Sequence, residues 1–279
     1  MPTRSLTAVD QPEPTGHKHV KMRRFCMALI DVSGTLHIED QAVQGAVEAI
    51  DRLRASGIPF RFVTNTTKES KRALHNRLSS LGFHISPEEI FTSMTAARKI
   101  LEAKKWRPWL LVSDEALEDF EGISTDNPNA VVVGLAPERL NYANMNMAFD
   151  MVFNRGAHLM AIHKSRYYQT KHGLALGPGA FVSGLEYATG IKAQVVGKPD
   201  AAFFHSAIPG ALSTHKLNEI VMVGDDVRDD VQGALKAGLS AILVKTGKYK
   251  EGDEKTIEQE CTFVANDVVQ AVEYILEEL

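Results

Sequence analysis

The sequence predicts an α/β protein: an open parallel sheet covered by helices, interrupted by a second, smaller α/β unit. Three observations predict it. Short apolar or β-branched runs at 25–30, 60–63 and 220–223 alternate with segments whose apolar residues recur at helical spacing, the rhythm of a parallel sheet wound with helices. Each run turns abruptly polar at its carboxyl end, at Asp31, at Thr64 and at Gly224-Asp225-Asp226. In an open α/β sheet that edge is where ligands bind. Residues 104–190 hold strand-like runs at 109–112, 130–133 and 159–162 and a helix over 141–153, enough for a small domain of their own.

In chain order, residues 1–24 are polar, with Pro2, Pro12, Pro14 and a basic cluster from His17 to Arg24. They lack the apolar stretch of a secretory signal and read as a disordered tail. The first core segment is 25–103. Its opening run, Phe25-Cys26-Met27-Ala28-Leu29-Ile30, has no polar interruption and reads as a strand buried on both faces. Val43, Val47, Ile50 and Leu53 mark a helix over 43–55 that stops near Gly57. The strand to Val63 follows, then a helix over 70–81 ended by Gly82. Ser86-Pro87-Glu88-Glu89 is a capping-box pattern with proline at the first helical position, introducing a helical region that runs to Ala103. After this second unit, 104–190, the core resumes over 191–279. Ala193-Gln194-Val195-Val196 is expected to join the same sheet as the other three runs, followed by helices over 199–207 and 229–237, a strand at 241–244 and a helix over 267–276.

Composition narrows the function. With 279 residues the chain can bury a large core, and its hydrophobic (44%) and charged (24%) fractions are those of a soluble globular protein. A net charge of −4 argues against a nucleic-acid partner, which calls for a basic face. No apolar run reaches the about 20 residues a membrane helix needs. Cys26 and Cys261 are too few for a disulfide framework, so a cytoplasmic setting is expected.

A lone Asp-x-x-Gly is more often a helix cap than an active site. Here a carboxylate (Asp31), a hydroxyl (Thr64), an ammonium (Lys198, in Gly197-Lys198-Pro199) and an acidic pair (Asp225-Asp226) are expected on one sheet edge. That set suits phosphoryl transfer, which needs a nucleophile, donors for the equatorial oxygens and a cation to offset charge.

These four stretches, in this order, resemble the signature of the haloacid dehalogenase (HAD) superfamily of phosphatases, from about Phe25 onward. The wide gap between Thr64 and Lys198 is similar to the subfamily with a large α/β cap between the second and third motifs. The resemblance implies a HAD-like core in which Asp31 is the nucleophile, forming an aspartyl phosphate. It implies Mg²⁺ held by the Asp31 carboxylate, the Ser33 carbonyl and the Asp225 carboxylate, with Asp226 and Asp230 outside that shell. It assigns Thr64 and Asn65 to phosphate binding, Lys198 to catalysis and phosphate binding, and allows for a homodimer.

Two residues depart from the pattern: Thr66 stands where many relatives carry an amide two residues after the hydroxyl, and Ser33 is the more instructive. Most phosphatases of this superfamily carry a second aspartate at the position of Ser33, as general acid and base. A serine still offers its carbonyl to a metal, but it cannot protonate a leaving group near neutral pH, help typically worth roughly 10²–10⁴-fold. Substrates with easy leaving groups are therefore expected: pyrophosphate, acyl or aryl phosphates, phosphoramidates. In the cap, His163, Lys164, Arg166, Tyr167 and Tyr168 form a cationic, aromatic loop suited to a phosphorylated small molecule or a phosphoprotein side chain. The competing reading is a regulatory protein that binds a phospholigand without turning it over.

Overall fold

The uninterrupted apolar run becomes β1 (Met27–Ile30), buried at all four positions. In the computed structural model, which describes residues 25–170, 173–212, 215–259 and 262–278, β1 lies inside the larger of two parallel sheets. The expected tail over 1–24 lies outside the described residues. After β1 come a small hairpin, β2 (His37–Ile38) and β3 (Gln41–Ala42), then α1 (Ala46–Ala55), β4 (Phe60–Thr64), α2 (Lys71–Ser80), β5 (Ile90–Thr92) and α3 (Ser93–Lys104). The second unit supplies β6 (Pro108–Leu111), β7 (Ala130–Val133), α4 (Tyr142–Phe153), β8 (His158–Ala161), the hairpin β9 (Tyr167–Thr170) and β10 (Gly173–Leu176), α5 (Gly179–Thr189) and β11 (Gln194–Val195). The chain ends with α6 (Ala201–Ala207), β12 (Ile220–Gly224), a π-helical turn over Val227–Gln232, α7 (Gly233–Lys236), β13 (Ser240–Val244), β14 (Phe263–Ala265) and α8 (Val268–Glu277).

The six-stranded sheet has the order β14-β13-β12-β1-β4-β5, parallel throughout. The chain leaves β1 toward β4 and later returns to β1's other side as β12. The switch in winding therefore lies between β1 and β12, whose carboxyl ends carry Asp31 and Asp225. Crevices at such points are where doubly wound folds bind ligands. Side chains alternate between the two faces. Ala28 and Ile30 join the cluster under α1 and α8, whereas Met27 and Leu29 join the one under α3, α6 and α7.

The smaller sheet has the order β11-β8-β7-β6, also parallel. This corrects one expectation: the run 193–196 pairs with β8 of the second sheet, Gln194 opposite Met160, and not with the core strands. Period and composition cannot assign a buried strand to one of two similar sheets. The apolar cluster holding Leu29 and Val63 continues through Val112, Val132, Met160 and Ile162, so one core runs from the first sheet into the second.

Local differences have local causes. α1 begins at Ala46, three residues later than its apolar pattern, because Gly45 takes a left-handed conformation with φ 78°. The capping box at Ser86 forms, but it closes only the 3₁₀ turn Pro87–Glu89. Ile90, Phe91 and Thr92 then become β5, all buried beside β4, and Thr92 caps α3 by accepting from the Thr95 amide. β5, β14 and α5 are not signalled by the sequence.

Candidate active site

Asp31 continues β1 by one residue, its amide bonded to the Val223 carbonyl at 2.8 Å. Its carboxylate is buried: Oδ1 accepts from Lys198 Nζ at 2.5 Å, and Thr35 Oγ1 donates to Oδ2 at 3.4 Å. Lys198 comes from the turn between β11 and α6, so the second sheet delivers it to the first. Its ammonium, 3% exposed, also donates to the Val63 carbonyl at 3.1 Å and lies 2.6 Å from Asp230 Oδ1. That last contact is an ion pair without hydrogen-bond alignment. Asn65 fixes the lysine from the core side, Oδ1 accepting from the Lys198 amide at 2.9 Å and Nδ2 donating to its carbonyl at 2.8 Å. The side-chain amide of Asn65 is thus committed to positioning Lys198.

The acidic loop after β12 divides its labour. Asp226 is a cap, Oδ1 accepting from the amides of Arg228 and Asp229, while Asp230 Oδ2 accepts from the Asp226 amide at 3.1 Å. The π-helical turn carries Asp230 back under the site, and such turns recur at functional sites. Asp225 Oδ2 accepts from the Lys248 amide at 2.6 Å, and Lys248 Nζ reaches Asp226 at 2.9 Å. Thr246 Oγ1 bonds the Gly34 carbonyl at 2.5 Å. The 245–248 loop thus presses onto Gly34, which has φ 95° and sits so close to Asp225 that any Cβ there would strike the carboxylate. Glycine is required there on both counts.

Charge at this edge is unbalanced. Burial pushes the Lys198 ammonium toward neutrality, but Asp230 and Asp31 outweigh that and hold its pKa above the usual lysine range. Burial, then the neighbouring Asp31 charge, pushes Asp225 up to about 7. Asp230 is raised well above an ordinary carboxyl by burial, Lys198 notwithstanding. One oxygen from each of Asp31, Asp225 and Asp230 lies within 4.8 Å of the others, all three residues buried. Three clustered carboxylates, two of them on Lys198, form a donor set that a hard divalent cation fits. Ser33 is exposed at the mouth of this group, at the foot of the β2–β3 hairpin. Thr64, 3% exposed, accepts from the Thr66 amide at 3.3 Å, which leaves its own hydroxyl hydrogen available to a ligand.

The second sheet presents its carboxyl edge to this site. Thr67 is the plug between them. Its Oγ1 faces His163 Nε2 at 3.4 Å, its carbonyl accepts from Ser113 Oγ at 3.1 Å, and its methyl packs toward Gly134. The five residues expected to form a cationic substrate loop are not brought together as one surface. His163 is buried, its Nδ1 on Ser165 Oγ at 3.0 Å. Lys164 is paired with the buried Glu186 at 2.7 Å. Arg166 and Tyr167 are exposed on the hairpin, the guanidinium 5.6 Å from the ring centroid. Tyr168 faces Lys68 across the seam, 4.6 Å from Nζ to ring centroid. Thr67, Lys68, Glu186 and the 245–248 loop were missed in the sequence. Only the last carries a legible signal, a polar Lys-Thr-Gly-Lys segment after the apolar run of β13.

His163 yields a stability prediction. Burial, then Lys248, lowers its pKa from 6.5 to about 4. Protonation therefore favours the unfolded chain, and its contribution to stability is full above 6.5 and lost as pH falls toward 4. The loss is about 1.4 kcal/mol per pH unit, about 3 kcal/mol in all. Relative to wild type, His163→Asn is expected to gain stability on going from pH 7 to pH 4. Denaturant melts at several pH values check this, and parallel stability profiles for the two proteins would refute it.

Two family models match the chain: haloacid dehalogenase-like hydrolase over residues 28–123 and HAD-hydrolase-like over 195–271. Together they cover more than half of it. The chain belongs to the HAD-like hydrolase family. It is 57% identical to bovine (Bos taurus) haloacid dehalogenase-like hydrolase domain-containing protein 2 over 92% of this chain and 98% of that one. It is 39% identical to the human (Homo sapiens) phospholysine phosphohistidine inorganic pyrophosphate phosphatase over 89% and 93%. Among solved structures, a thermostable NPPase double mutant from Geobacillus stearothermophilus superposes with TM-score 0.79 at 29% identity, covering 89% of this chain and 98% of that one. A 4-nitrophenylphosphatase from Thermotoga maritima shares the fold at TM-score 0.82 and 23% identity, covering 92% and 100%. The two family models cover the strands that carry Asp31 and Asp225, and residues 124–194 lie between them. Among the described residues no helix is long and apolar enough to cross a membrane.

Proposed function

We propose that this protein is a Mg²⁺-dependent phosphatase that works through an aspartyl phosphate on Asp31. The observation that carries this reading is the buried Asp31 carboxylate, 2.5 Å from Lys198 Nζ and within 4.8 Å of Asp225 and Asp230 oxygens. A carboxylate held at a sheet edge against a fixed ammonium is a nucleophile whose phosphorylated form is stabilised where it forms. The named activities of the NPPase and pyrophosphate phosphatase relatives agree with it.

Each residue has a task. Asp31 Oδ attacks phosphorus, forming an acyl phosphate as the ester or anhydride bond breaks. Lys198, aimed by Asn65, offsets charge on the nucleophile and on the transferred group. Thr64 donates its free hydroxyl hydrogen to an equatorial oxygen. Water then attacks phosphorus and restores the Asp31 carboxylate. Asp31, Asp225 and the Ser33 carbonyl would hold Mg²⁺, with Asp230 kept behind them by Lys198. When bound, the metal neutralises the mutual repulsion of carboxylate and phosphate.

The test is phosphate release with and without Mg²⁺ over sugar phosphates, nucleotides, pyridoxal phosphate, pyrophosphate, imidodiphosphate and p-nitrophenyl phosphate. Release that needs both Mg²⁺ and Asp31 is expected from at least one of them. Ser33 favours a second reading, a phospholigand-binding regulator, since it leaves the mouth of the site without a side-chain acid. Saturable binding of a phosphate ester without any release would select that reading.

A further inference from the structure

The seam between the two sheets holds a cation that the mechanism above does not use. Thr67 is plugged into the carboxyl edge of the second sheet, so the next residue must emerge at the seam, four positions after Thr64. That residue is Lys68. It is exposed, and its Nζ stands 4.6 Å from the centroid of the Tyr168 ring on the opposite side.

How Lys68 is held matters. An aromatic face attracts an ammonium and fixes its place without cancelling its charge. Among the described residues no carboxylate pairs with Lys68. Its neighbour Glu69 is engaged by Arg77 at 2.6 Å. Lys164, one of the cations expected in the 163–168 loop, is neutralised by Glu186. Four residues after Thr64, the seam therefore carries a positioned positive charge that no carboxylate among the described residues offsets.

The second observation is Ser33. With no acid at that position, a leaving group must depart without a proton from there. A group that leaves as an anion needs a positive charge to receive it.

We propose that Lys68 is a specificity residue that receives a second phosphoryl group on the leaving side of the substrate, so that the site is adapted to phosphoanhydrides. Tyr168 is the positioning residue that holds Lys68 over the seam. The inference rests on Asp31 being the nucleophile. In the first step Asp31 Oδ bonds to one phosphorus while the bond from that phosphorus to the bridging oxygen breaks. The electron pair stays on the bridging oxygen, and inorganic phosphate leaves with its charge facing Lys68. In the second step water attacks the aspartyl phosphate, its oxygen and protons leave with the second phosphate, and Asp31 returns as carboxylate. Pyrophosphate plus water thus gives two phosphates.

The experiment compares kcat/KM for pyrophosphate and p-nitrophenyl phosphate, in the full chain with saturating Mg²⁺. Lys68→Gln is expected to lower the pyrophosphate to p-nitrophenyl phosphate ratio by about tenfold or more, the scale of a lost contact between charged groups. Lys68→Arg should restore most of the ratio. Tyr168→Phe keeps the ring face and should keep the ratio, whereas Tyr168→Leu should lower it. Thermal melts confirm that each variant is folded, which an exposed lysine makes straightforward. The inference is overturned if Lys68→Gln leaves the ratio unchanged. It is also overturned if wild type releases phosphate from p-nitrophenyl phosphate alone. Either result leaves the phosphatase reading standing, because Asp31-dependent release persists. No Asp31-dependent release from either substrate removes that reading, and the inference with it.

Discussion

Asp31→Asn is expected to abolish Mg²⁺-dependent phosphate release while leaving the fold intact. The substitution is nearly isosteric and removes the attacking charge, so no acyl phosphate can form. Removing one partner of a buried ion pair usually costs about 3–5 kcal/mol, because the other charge is left uncompensated. Here it is not left so. Lys198 keeps Asp230 at 2.6 Å and the Val63 carbonyl at 3.1 Å. The change also removes a charge that helps push Asp225 upward. The stability cost should therefore fall well below that range, and an unfolding curve measures it directly. Phosphate release and trapping of a beryllofluoride adduct give the functional readout. Retained turnover in the purified variant, after contamination controls, would rule out Asp31 as nucleophile.

Ser33→Asp is expected to change substrate preference in the opposite sense. Ser33 is exposed at the mouth of the site, so a longer acidic side chain has room there. It would supply the proton that an alkyl leaving group needs and that serine cannot give. Rates for alkyl phosphates should rise by at most roughly 10²–10⁴-fold, and those for aryl phosphates much less. A smaller gain has a stated cause. A fourth carboxylate beside Asp31, Asp225 and Asp230 raises neighbouring pKa values further, and Asp225 already stands near 7. Comparison of kcat/KM for one alkyl and one aryl phosphate in both proteins is decisive. If wild type already hydrolyses both alike and the variant keeps their ratio, another group delivers the proton.

Much of this site was legible before any coordinates. A carboxylate, a hydroxyl and an acidic pair at the ends of apolar runs lie where a parallel sheet opens onto its crevice, because strand burial and strand direction are both written in local sequence. Asp31, Thr64 and Asp225 follow that rule. Lys198 also reaches the site, by a different route. The run before it pairs in the second sheet, and a strand buried on both faces looks the same in either. The cationic reading of 163–168 fared differently. His163 is buried and Lys164 is neutralised by Glu186, 22 residues away, and such partners follow from packing that no local pattern reports. The capping box at Ser86 forms as its residues dictate, yet the following residues join a sheet, since burial beside β4 outweighs a local helical preference.

By itself the sequence determined the α/β class, the order of most elements, the sheet edge that gathers Asp31, Thr64 and Asp225, and the absence of a side-chain acid at Ser33. Each of these depends on residues within a few positions of one another, or on strand ends whose place is set by hydrophobic period. Only the tertiary structure decided that Asn65 aims Lys198 and that Asp230 shares that lysine with Asp31. It alone placed Thr67 as a plug between the two sheets and stood Lys68 against Tyr168. The reason is physical: a side chain's charge state and freedom depend on the groups facing it, and in this chain those groups lie tens of residues to more than a hundred away.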